Sequence, residues 1–213
     1  MLSELYPPAV VAVANSEIPE SPLCAQEEQA VEGAVPARRR EFAVGRSCAR
    51  AALEKLGLGR IGIPRAADRS PVWPSGVVGS ISHCANYCAA VVAREEDVLA
   101  LGLDVESLGR LGRDTRGLIC GPTETSRLEQ LGTAYDPVEI AFSAKESFYK
   151  AYYPSTRFFL DFLDVDLCLD PERGTFNAKL LRGSAPSFHG RREASGRFVV
   201  RDGRVFTGVA VES

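Results

Sequence analysis

The stretch LALGLDVE (residues 99–106) alternates large apolar side chains with small or acidic ones, as a β-strand that buries one face does. We expect its leucines and valine to face the core. The opposite face ends in two carboxylates, Asp104 and Glu106, and Gly102 is predicted to leave open space beside them. Close carboxylates repel each other unless a cation neutralises them, and Mg²⁺ is commonly held by one or two carboxylates with water and phosphate oxygens. The strand therefore favours a metal site, with a solvated strand end as the alternative.

A second stretch, FSAKESFYKA (residues 142–151), predicts a helix that is apolar and aromatic apart from Lys145, Glu146 and Lys150. Glu146 and Lys150 are four residues apart and so lie on one face, a spacing that is also typical of an ordinary helix-stabilising ion pair. Because the rest of this helix is suited to packing, we expect its charged groups to face something specific. A third carboxylate and an ammonium group that converge on Asp104 and Glu106 would suit a magnesium–diphosphate substrate.

Composition limits the classes of protein that this chain can represent. Its 213 residues, 45% of them hydrophobic, suffice for one large domain or two small ones. The net charge of −3 gives no global attraction to nucleic acid. The apolar run near residues 9–14 is too short for a signal peptide or a membrane span, and the six cysteines follow no regular framework. We therefore expect a cytoplasmic protein with reduced thiols and with neither a membrane nor a nucleic acid as partner.

A local excess of positive charge lies within residues 38–50, where five arginines are opposed by one acid, Glu41. These residues belong to a helix predicted from about residue 38 to residue 56. The strand that contains GSISH (residues 79–83) adds hydroxyl groups and one of the two histidines, His83. Guanidinium groups and hydroxyls suit phosphate oxygens, and the pattern favours a small anionic ligand over a polymer. A solvated helix face and an ordinary packed histidine are the alternatives.

The order of predicted elements divides the chain into two similar halves. Residues 1–107 contain a short strand, the basic helix and three further strands. Residues 108–213 contain two short helical segments, the long helix near 137–153, and strands that include a hairpin at RDGR (201–204). We therefore predict an α+β fold in which each half is a main helix packed on a small, mostly antiparallel sheet, with the active site at the interface.

Five segments together resemble the 4′-phosphopantetheinyl transferases of the larger, single-chain type, the branch that activates siderophore and peptide synthetases. They are RRREFAVGR (38–46), RSPVWPSG (69–76), GSISHC (79–84), GLDVE (102–106) and FSAKESFYKA (142–151). The resemblance implies two pseudo-symmetric halves with coenzyme A in the cleft between them. It also implies transfer of the phosphopantetheine arm to a serine of an apo acyl or peptidyl carrier protein, with release of adenosine 3′,5′-bisphosphate. Both halves lie in one chain, so we expect a monomer.

The position of each residue within these motifs implies its role. Metal binding, to Mg²⁺ or Mn²⁺, falls to Asp104, Glu106 and Glu146. Catalysis falls to Glu146, which would accept the proton of the carrier serine, and to Lys150, which would support the diphosphate and the leaving group. The residues implied to contact coenzyme A as substrate are Arg38, Arg39, Arg46, Ser82, His83, Lys145 and Lys150.

Two other functions remain open from the sequence, a non-catalytic protein that binds coenzyme A or a nucleotide and a metal-dependent phosphohydrolase. The preferred carrier is open as well. Arg110, Arg113 and Arg116 follow the predicted junction of the halves and are candidates to face the acidic helix of a carrier protein, with a solvated loop as the alternative.

Overall fold

The computed structural model describes residues 2–17 and 21–213. The helices are α1 (Ala25–Glu28), α2 (Pro36–Lys55), α3 (Arg116–Ile119), α4 (Pro122–Glu129) and α5 (Pro137–Thr156). The strands are β1 (Val11–Ala14), β2 (Val77–Cys84), β3 (Tyr87–Arg94), β4 (Val98–Ser107), β5 (Val165–Asp170), β6 (Thr175–Leu180), β7 (Glu193–Arg201) and β8 (Arg204–Glu212). Among the helices of these ranges, none has the length and hydropathy that crossing a bilayer requires.

Two antiparallel sheets form the framework. The smaller has the strand order β1-β3-β2 and packs against α2, and the larger has the order β4-β8-β7-β6-β5 and packs against α5. The predicted α+β architecture of two halves, each with one long helix on an antiparallel sheet, is therefore confirmed.

The boundary between the halves differs from the prediction. Strand β4 was assigned by sequence to residues 1–107, but it pairs along its length with β8 and belongs to the larger sheet. The sheets therefore divide at the turn between Arg94 and Val98 and not at residue 107. Strand β6 was not predicted from the sequence, although Phe176, Ala178 and Leu180 alternate and are buried as a half-buried strand requires.

Three apolar clusters fill the spaces between the layers. One lies between α2 and the smaller sheet, one between α5 and the larger sheet, and the third joins the outer face of β3 to β4. Strand β4 contributes to two of them, because Ala100 faces α5 while Leu101, Leu103 and Val105 pack in the junction. Although β4 is an edge strand of the larger sheet, it lies between the two sheets and is buried on both faces.

The sheets meet where the edge strand β2 runs beside the edge strand β4. The backbone N–H groups of Leu103 and Val105 donate to the Oγ atoms of Ser80 (3.0 Å) and Ser82 (3.2 Å). Serine hydroxyls thus satisfy donors that a neighbouring strand would satisfy in a continuous ladder. This junction brings the GSISH segment alongside the strand that carries Asp104.

Gly102 fixes how closely helix α5 approaches β4. A Cβ atom built at Gly102 would lie 1.8 Å from the carbonyl oxygen of Ser147 and 3.0 Å from the backbone nitrogen of Ala151. The space beside this glycine was predicted to be open, but it is filled by the helix backbone. The residues around Ser147 on the helix are thereby held level with the acidic end of β4.

We expect Gly102→Ala to lower the free energy of unfolding by about 3 kcal/mol or more, because the added methyl group would force α5 away from β4. Urea denaturation followed by circular dichroism measures this change. The matched control is Gly117→Ala in α3, where no atom lies within 4 Å of the added Cβ. A loss in Gly102→Ala no larger than in this control would contradict the close approach.

Candidate active site

The central interaction of the site is an ion pair that joins two of the five sequence segments, GLDVE (102–106) and FSAKESFYKA (142–151). Asp104 on β4 is 2% exposed, and its Oδ1 accepts from the Nζ of Lys150 on α5 at 2.6 Å. The same Oδ1 accepts from the Oγ of Ser82 on β2 at 3.0 Å, and Lys150 also donates to Ser82 at 3.1 Å. Strand β2, strand β4 and helix α5 therefore converge on one carboxylate.

The remaining oxygen of Asp104 is held from another direction. Its Oδ2 accepts from the Oγ of Ser143, one turn earlier on α5, at 2.8 Å. Ser143 was not among the residues predicted from the sequence to belong to the site. Its place in the quoted motif was visible, but a small hydroxyl residue within a packed helix gives no signal of which acceptor it meets.

Lys150 remains a cation in this setting. Burial lowers the pKa of its ammonium group, but the charges of Asp104, Glu146 and Glu106 outweigh burial and raise the pKa above the ordinary lysine value. A protonated ammonium group that touches a buried carboxylate is a charged donor suited to phosphate oxygens.

Two glutamates complete the acidic group without partners of their own. Glu106 and Glu146 are half-buried, and within residues 2–17 and 21–213 neither carboxylate makes a hydrogen bond or a close ion pair. Burial, Asp104 and Glu146 raise the pKa of Glu106 to about 7. Burial and Asp104 also raise the pKa of Glu146, although Lys150 opposes them. The site therefore carries more negative charge than Lys150 alone compensates.

The donor set fits a divalent cation. In the part of the chain that the structure describes, no group of three histidine, cysteine, aspartate or glutamate side chains is already arranged to ligate a metal ion. Glu106 and Glu146 are nevertheless unpartnered carboxylates whose pKa values are raised, first by burial and then by the nearby charge of Asp104. Oxygen donors with excess negative charge are what Mg²⁺ and Mn²⁺ prefer.

Arg38 and His83, two of the residues implied to contact coenzyme A, lie together at the edge of the site. The Nη1 of Arg38 lies 3.3 Å from the Nε2 of His83, and both side chains are exposed. Partial burial lowers the pKa of His83, and Arg38 and Lys150 lower it further, against the influence of Glu41 and Asp104. The neutral imidazole can thus accept a hydrogen bond from Arg38.

The other predicted arginines lie in different surroundings. Arg39 forms a surface ion pair with Glu28 at 2.5 Å. Arg46 is 6% exposed, its Nε donates to the carbonyl oxygen of Ile63 at 2.8 Å, and its guanidinium group stacks on the ring of Phe42. Burial lowers the pKa of Arg46 to about 10. Its two terminal nitrogens have no hydrogen-bond partner among the described residues, so they remain available to an anion.

Lys145 is not part of this group. Its Nζ, 2% exposed, donates to Glu124 Oε2 (2.8 Å) and to the carbonyl oxygens of Ile119 (2.7 Å) and Phe162 (3.0 Å). An ammonium group has three donors, and all three are used here. The predicted contact of Lys145 with coenzyme A is therefore corrected, because one residue step along the helix turns this side chain away from Glu146 into the packing of α3 and α4.

The loop that precedes the Trp-Pro pair lies across a cavity between the halves. The cavity has a volume of about 700 Å³ and is lined by β2, β4 and the last turns of α5, with Trp73, Tyr149 and Phe159 among its walls. Asp68 in the loop accepts from the Nη1 of Arg157, at the end of α5, at 2.5 Å. This ion pair connects the N-terminal half to α5 on the side of the molecule that contains Lys150.

The arginines after β4 are only partly available to a partner. Arg110 and Arg113 are exposed, but Arg116 donates to the carboxylate of Asp136, the N-cap of α5, at 2.5 Å. Arg116 is therefore removed from the candidate contacts with a carrier protein, because its charge is already paired.

Comparison with known proteins follows the same division of the chain. Residues 26–93 match the model of the 4′-phosphopantetheinyl transferase N-terminal domain, and residues 100–201 match that of the 4′-phosphopantetheinyl transferase superfamily. The 4′-phosphopantetheinyl transferase Svp of Streptomyces mobaraensis is 40% identical over 99% of this chain and 89% of its own length. The chain belongs to the 4′-phosphopantetheinyl transferase superfamily.

Further relatives of this phosphopantetheinyl transferase agree. The 4′-phosphopantetheinyl transferase Npt of Nocardia iowensis is 33% identical over 99% of both chains. Enterobactin synthase component D of Escherichia coli is 38% identical over 54% of each. The resemblance stated from the five sequence segments is confirmed, and so is the conclusion that the chain is an enzyme of the phosphopantetheinyl transferase type.

The raised pKa of Glu106 should make the stability of the metal-free phosphopantetheinyl transferase depend on pH. Between pH 4.5, the ordinary glutamate value, and about pH 7, the folded state binds more protons at this site than the unfolded state. The contribution of Glu106 to stability is therefore present below pH 4.5 and lost as the pH rises to 7. In EDTA, we expect the Tm of Glu106→Gln minus that of the wild type to increase across this window.

Differential scanning calorimetry at pH 5, 6, 7 and 8 measures the difference. Glu96→Gln, in the exposed turn before β4, is the control, and its Tm should keep a constant offset from the wild type. A constant offset for Glu106→Gln as well would show that Glu106 does not hold its proton more tightly in the folded state.

Proposed function

We propose that this enzyme transfers the 4′-phosphopantetheine arm of coenzyme A to a serine of apo acyl or peptidyl carrier proteins. The reaction releases adenosine 3′,5′-bisphosphate and requires Mg²⁺, which Mn²⁺ can replace. The observation that carries the proposal is the convergence of Asp104 and Glu106 on β4 with Glu146 and Lys150 on α5, at the junction with the smaller sheet. Three carboxylates and one ammonium group suit a metal-bound diphosphate, the group of coenzyme A at which the transfer takes place.

Asp104, Glu106 and Glu146 would hold the cation. When bound, Mg²⁺ supplies charge neutralisation to the diphosphate in the ground and transition states. Glu106 and Glu146 need no rearrangement of existing partners to serve, since they have none among the described residues. Asp104 contributes from a fixed position, because Ser82, Ser143 and Lys150 hold its carboxylate.

The reaction proposed for the site is an in-line displacement at the β-phosphorus of coenzyme A. The carrier serine oxygen forms the new bond to phosphorus, and the bond to the bridging oxygen breaks, so that adenosine 3′,5′-bisphosphate leaves with that oxygen. Glu146 accepts the serine proton, a role that its raised pKa favours. Lys150 donates to the leaving phosphate as its charge increases.

Binding of the nucleotide end of coenzyme A is assigned to the basic edge of the site. Arg38 and His83 lie together there, and Arg46 presents unpartnered nitrogens from a buried position. Arg39 can exchange its exposed Glu28 partner for a phosphate, because surface ion pairs contribute only about 0–1 kcal/mol. Ser82 would contact coenzyme A from the junction between the sheets, where its hydroxyl proton is directed to Asp104. Lys145 has no place in this proposal.

The carrier and the cellular setting belong to the same proposal. The name of the enterobactin synthase relatives favours a carrier in siderophore or other secondary metabolite assembly. Since both halves and every proposed ligand lie in one chain, the proposed form is a monomer. Its free cysteines suit the reducing cytoplasm, which is the proposed location.

We expect Asp104→Asn, Glu106→Gln, Glu146→Gln and Lys150→Met each to lower transfer at least about 100-fold, because each removes charge from the diphosphate site. Intact mass spectrometry of an apo carrier incubated with coenzyme A and Mg²⁺ measures the product. Glu96→Gln, a charge change in an exposed turn, is the matched control and should retain wild-type activity.

The same assay distinguishes the rival functions. Splitting of coenzyme A with no modified carrier in any of a panel of apo carriers would indicate a phosphohydrolase. Binding of coenzyme A with no product of either kind would indicate a non-catalytic binding protein. Full activity in one of the four variants would remove the role proposed for that residue alone.

For the carrier, we propose that Arg110 and Arg113 face its acidic helix. Arg113→Glu should raise the KM for the carrier about 5- to 10-fold, more strongly at low salt, and leave kcat unchanged, because exposed charges act mainly on encounter. Arg173→Glu, which changes another exposed arginine, in the turn between β5 and β6, is the control. An unchanged carrier KM in Arg113→Glu contradicts this docking surface.

A further inference from the structure

Two buried hydroxyl groups, those of Thr207 and Ser143, form a hydrogen-bonded chain that ends at Oδ2 of Asp104. Ser143 and Thr207 are both fully buried, and Thr207 lies directly opposite Asp104 in the ladder between β4 and β8. The Oγ of Ser143 lies 2.8 Å from Asp104 Oδ2 and 3.0 Å from the Oγ1 of Thr207. Thr207 Oγ1 is also 2.8 Å from the carbonyl oxygen of Ser143.

The hydroxyl protons of this chain can be assigned from its chemistry. An ionised carboxylate only accepts hydrogen bonds, so the proton of Ser143 Oγ points to Asp104. At the contact between the two hydroxyls, only Thr207 can then donate. Its proton is directed to Ser143, either to the hydroxyl or to the carbonyl oxygen. Both arrangements leave Asp104 as the last acceptor, and in both Thr207 Oγ1 lies 3.0 Å from the Ser143 hydroxyl.

Asp104 is thus oriented from both ends of its carboxylate. Lys150 and Ser82 donate to Oδ1, and Ser143 donates to Oδ2. Without Ser143, Oδ2 would lose its only donor within the described residues, and the carboxylate would be restrained at one oxygen. Carboxylate side chains rotate broadly about χ2, so a donor at each oxygen determines the direction in which the free lone pairs point.

We propose that Ser143, supported by Thr207, is a positioning residue that orients Asp104 for the divalent cation. The inference rests on the proposed function, in which Asp104 is a metal ligand. Hydrogen-bonded partners of a metal-binding carboxylate orient it, and their loss typically weakens metal binding 10- to 100-fold. Ser143 and Thr207 therefore act on the reaction without contact with the substrate.

The test is the affinity of the full-length protein for Mn²⁺ in the presence of coenzyme A, measured by electron paramagnetic resonance of the free ion. We expect Ser143→Ala to weaken binding about 10- to 100-fold. Ser143→Thr keeps a hydroxyl at the same position and should restore the affinity to within about 3-fold of the wild type. Thr207→Val, which has the same shape without the hydroxyl, should weaken binding in the same direction, and it provides the test should Ser143→Ala not fold.

The matched control is Ser147→Ala, one turn further along α5. Ser147 is equally buried, and its hydroxyl donates only to the carbonyl oxygen of Ala144 in its own helix, at 2.9 Å. We expect its Mn²⁺ affinity to equal that of the wild type. Equal affinities in Ser143→Ala and Ser147→Ala overturn the inference while the proposed function stands. A wild-type protein that binds no Mn²⁺ contradicts the metal requirement of the proposed function and overturns the inference with it.

Discussion

The contact of two backbones at Gly102 is the constraint on which the rest of the site depends. Helix α5 lies so close to β4 that its Ser147 carbonyl oxygen occupies the position where a side chain would begin. Interiors are close-packed, so such a contact leaves the helix no freedom to slide or tilt. The result is an ammonium group on α5 held 2.6 Å from a carboxylate on β4.

The electrostatics of the site follow from this approach. Bringing Glu146 and Lys150 against Asp104 and Glu106 removes all four groups from part of their hydration. Charges in such an environment interact more strongly than they would in water. The pKa of Lys150 is raised, so Lys150 stays charged. The pKa values of Glu106 and Glu146 are raised as well, so these carboxylates hold their protons more readily. This imbalance of charge, with Lys150 and the nearby arginines beside it, suits the metal-bound diphosphate of the proposed function.

Local periodicity made the two central elements predictable. The alternation of residues 99–106 and the helical spacing of residues 142–151 depend only on neighbours in the chain, and the structure has a strand and a helix there. Long-range pairing was not predictable in the same way. No local pattern in the sequence indicates that β4 pairs with β8. The position of Thr207 opposite Asp104 therefore could not be predicted. Side-chain direction also escaped it, since Lys145 and Glu146 are neighbours that the helix turns toward different surroundings. Gly102 was correctly predicted to matter for the site, but for a different reason. Its missing side chain makes room for helix α5 and not for a ligand.

The turn between β3 and β4 has a consequence for engineering. It is exposed and lies between the regions matched by the two family models, at residues 26–93 and 100–201. Ser82 precedes it, whereas Asp104 and Lys150 follow it. A gene divided at Glu95–Asp97 would consequently yield one fragment that carries Arg38, Arg46 and Ser82 and another that carries all four charged site residues of β4 and α5. Reassembly would have to re-form the serine junction of β2 with β4, which makes this turn the natural cut point for a split-protein complementation reporter.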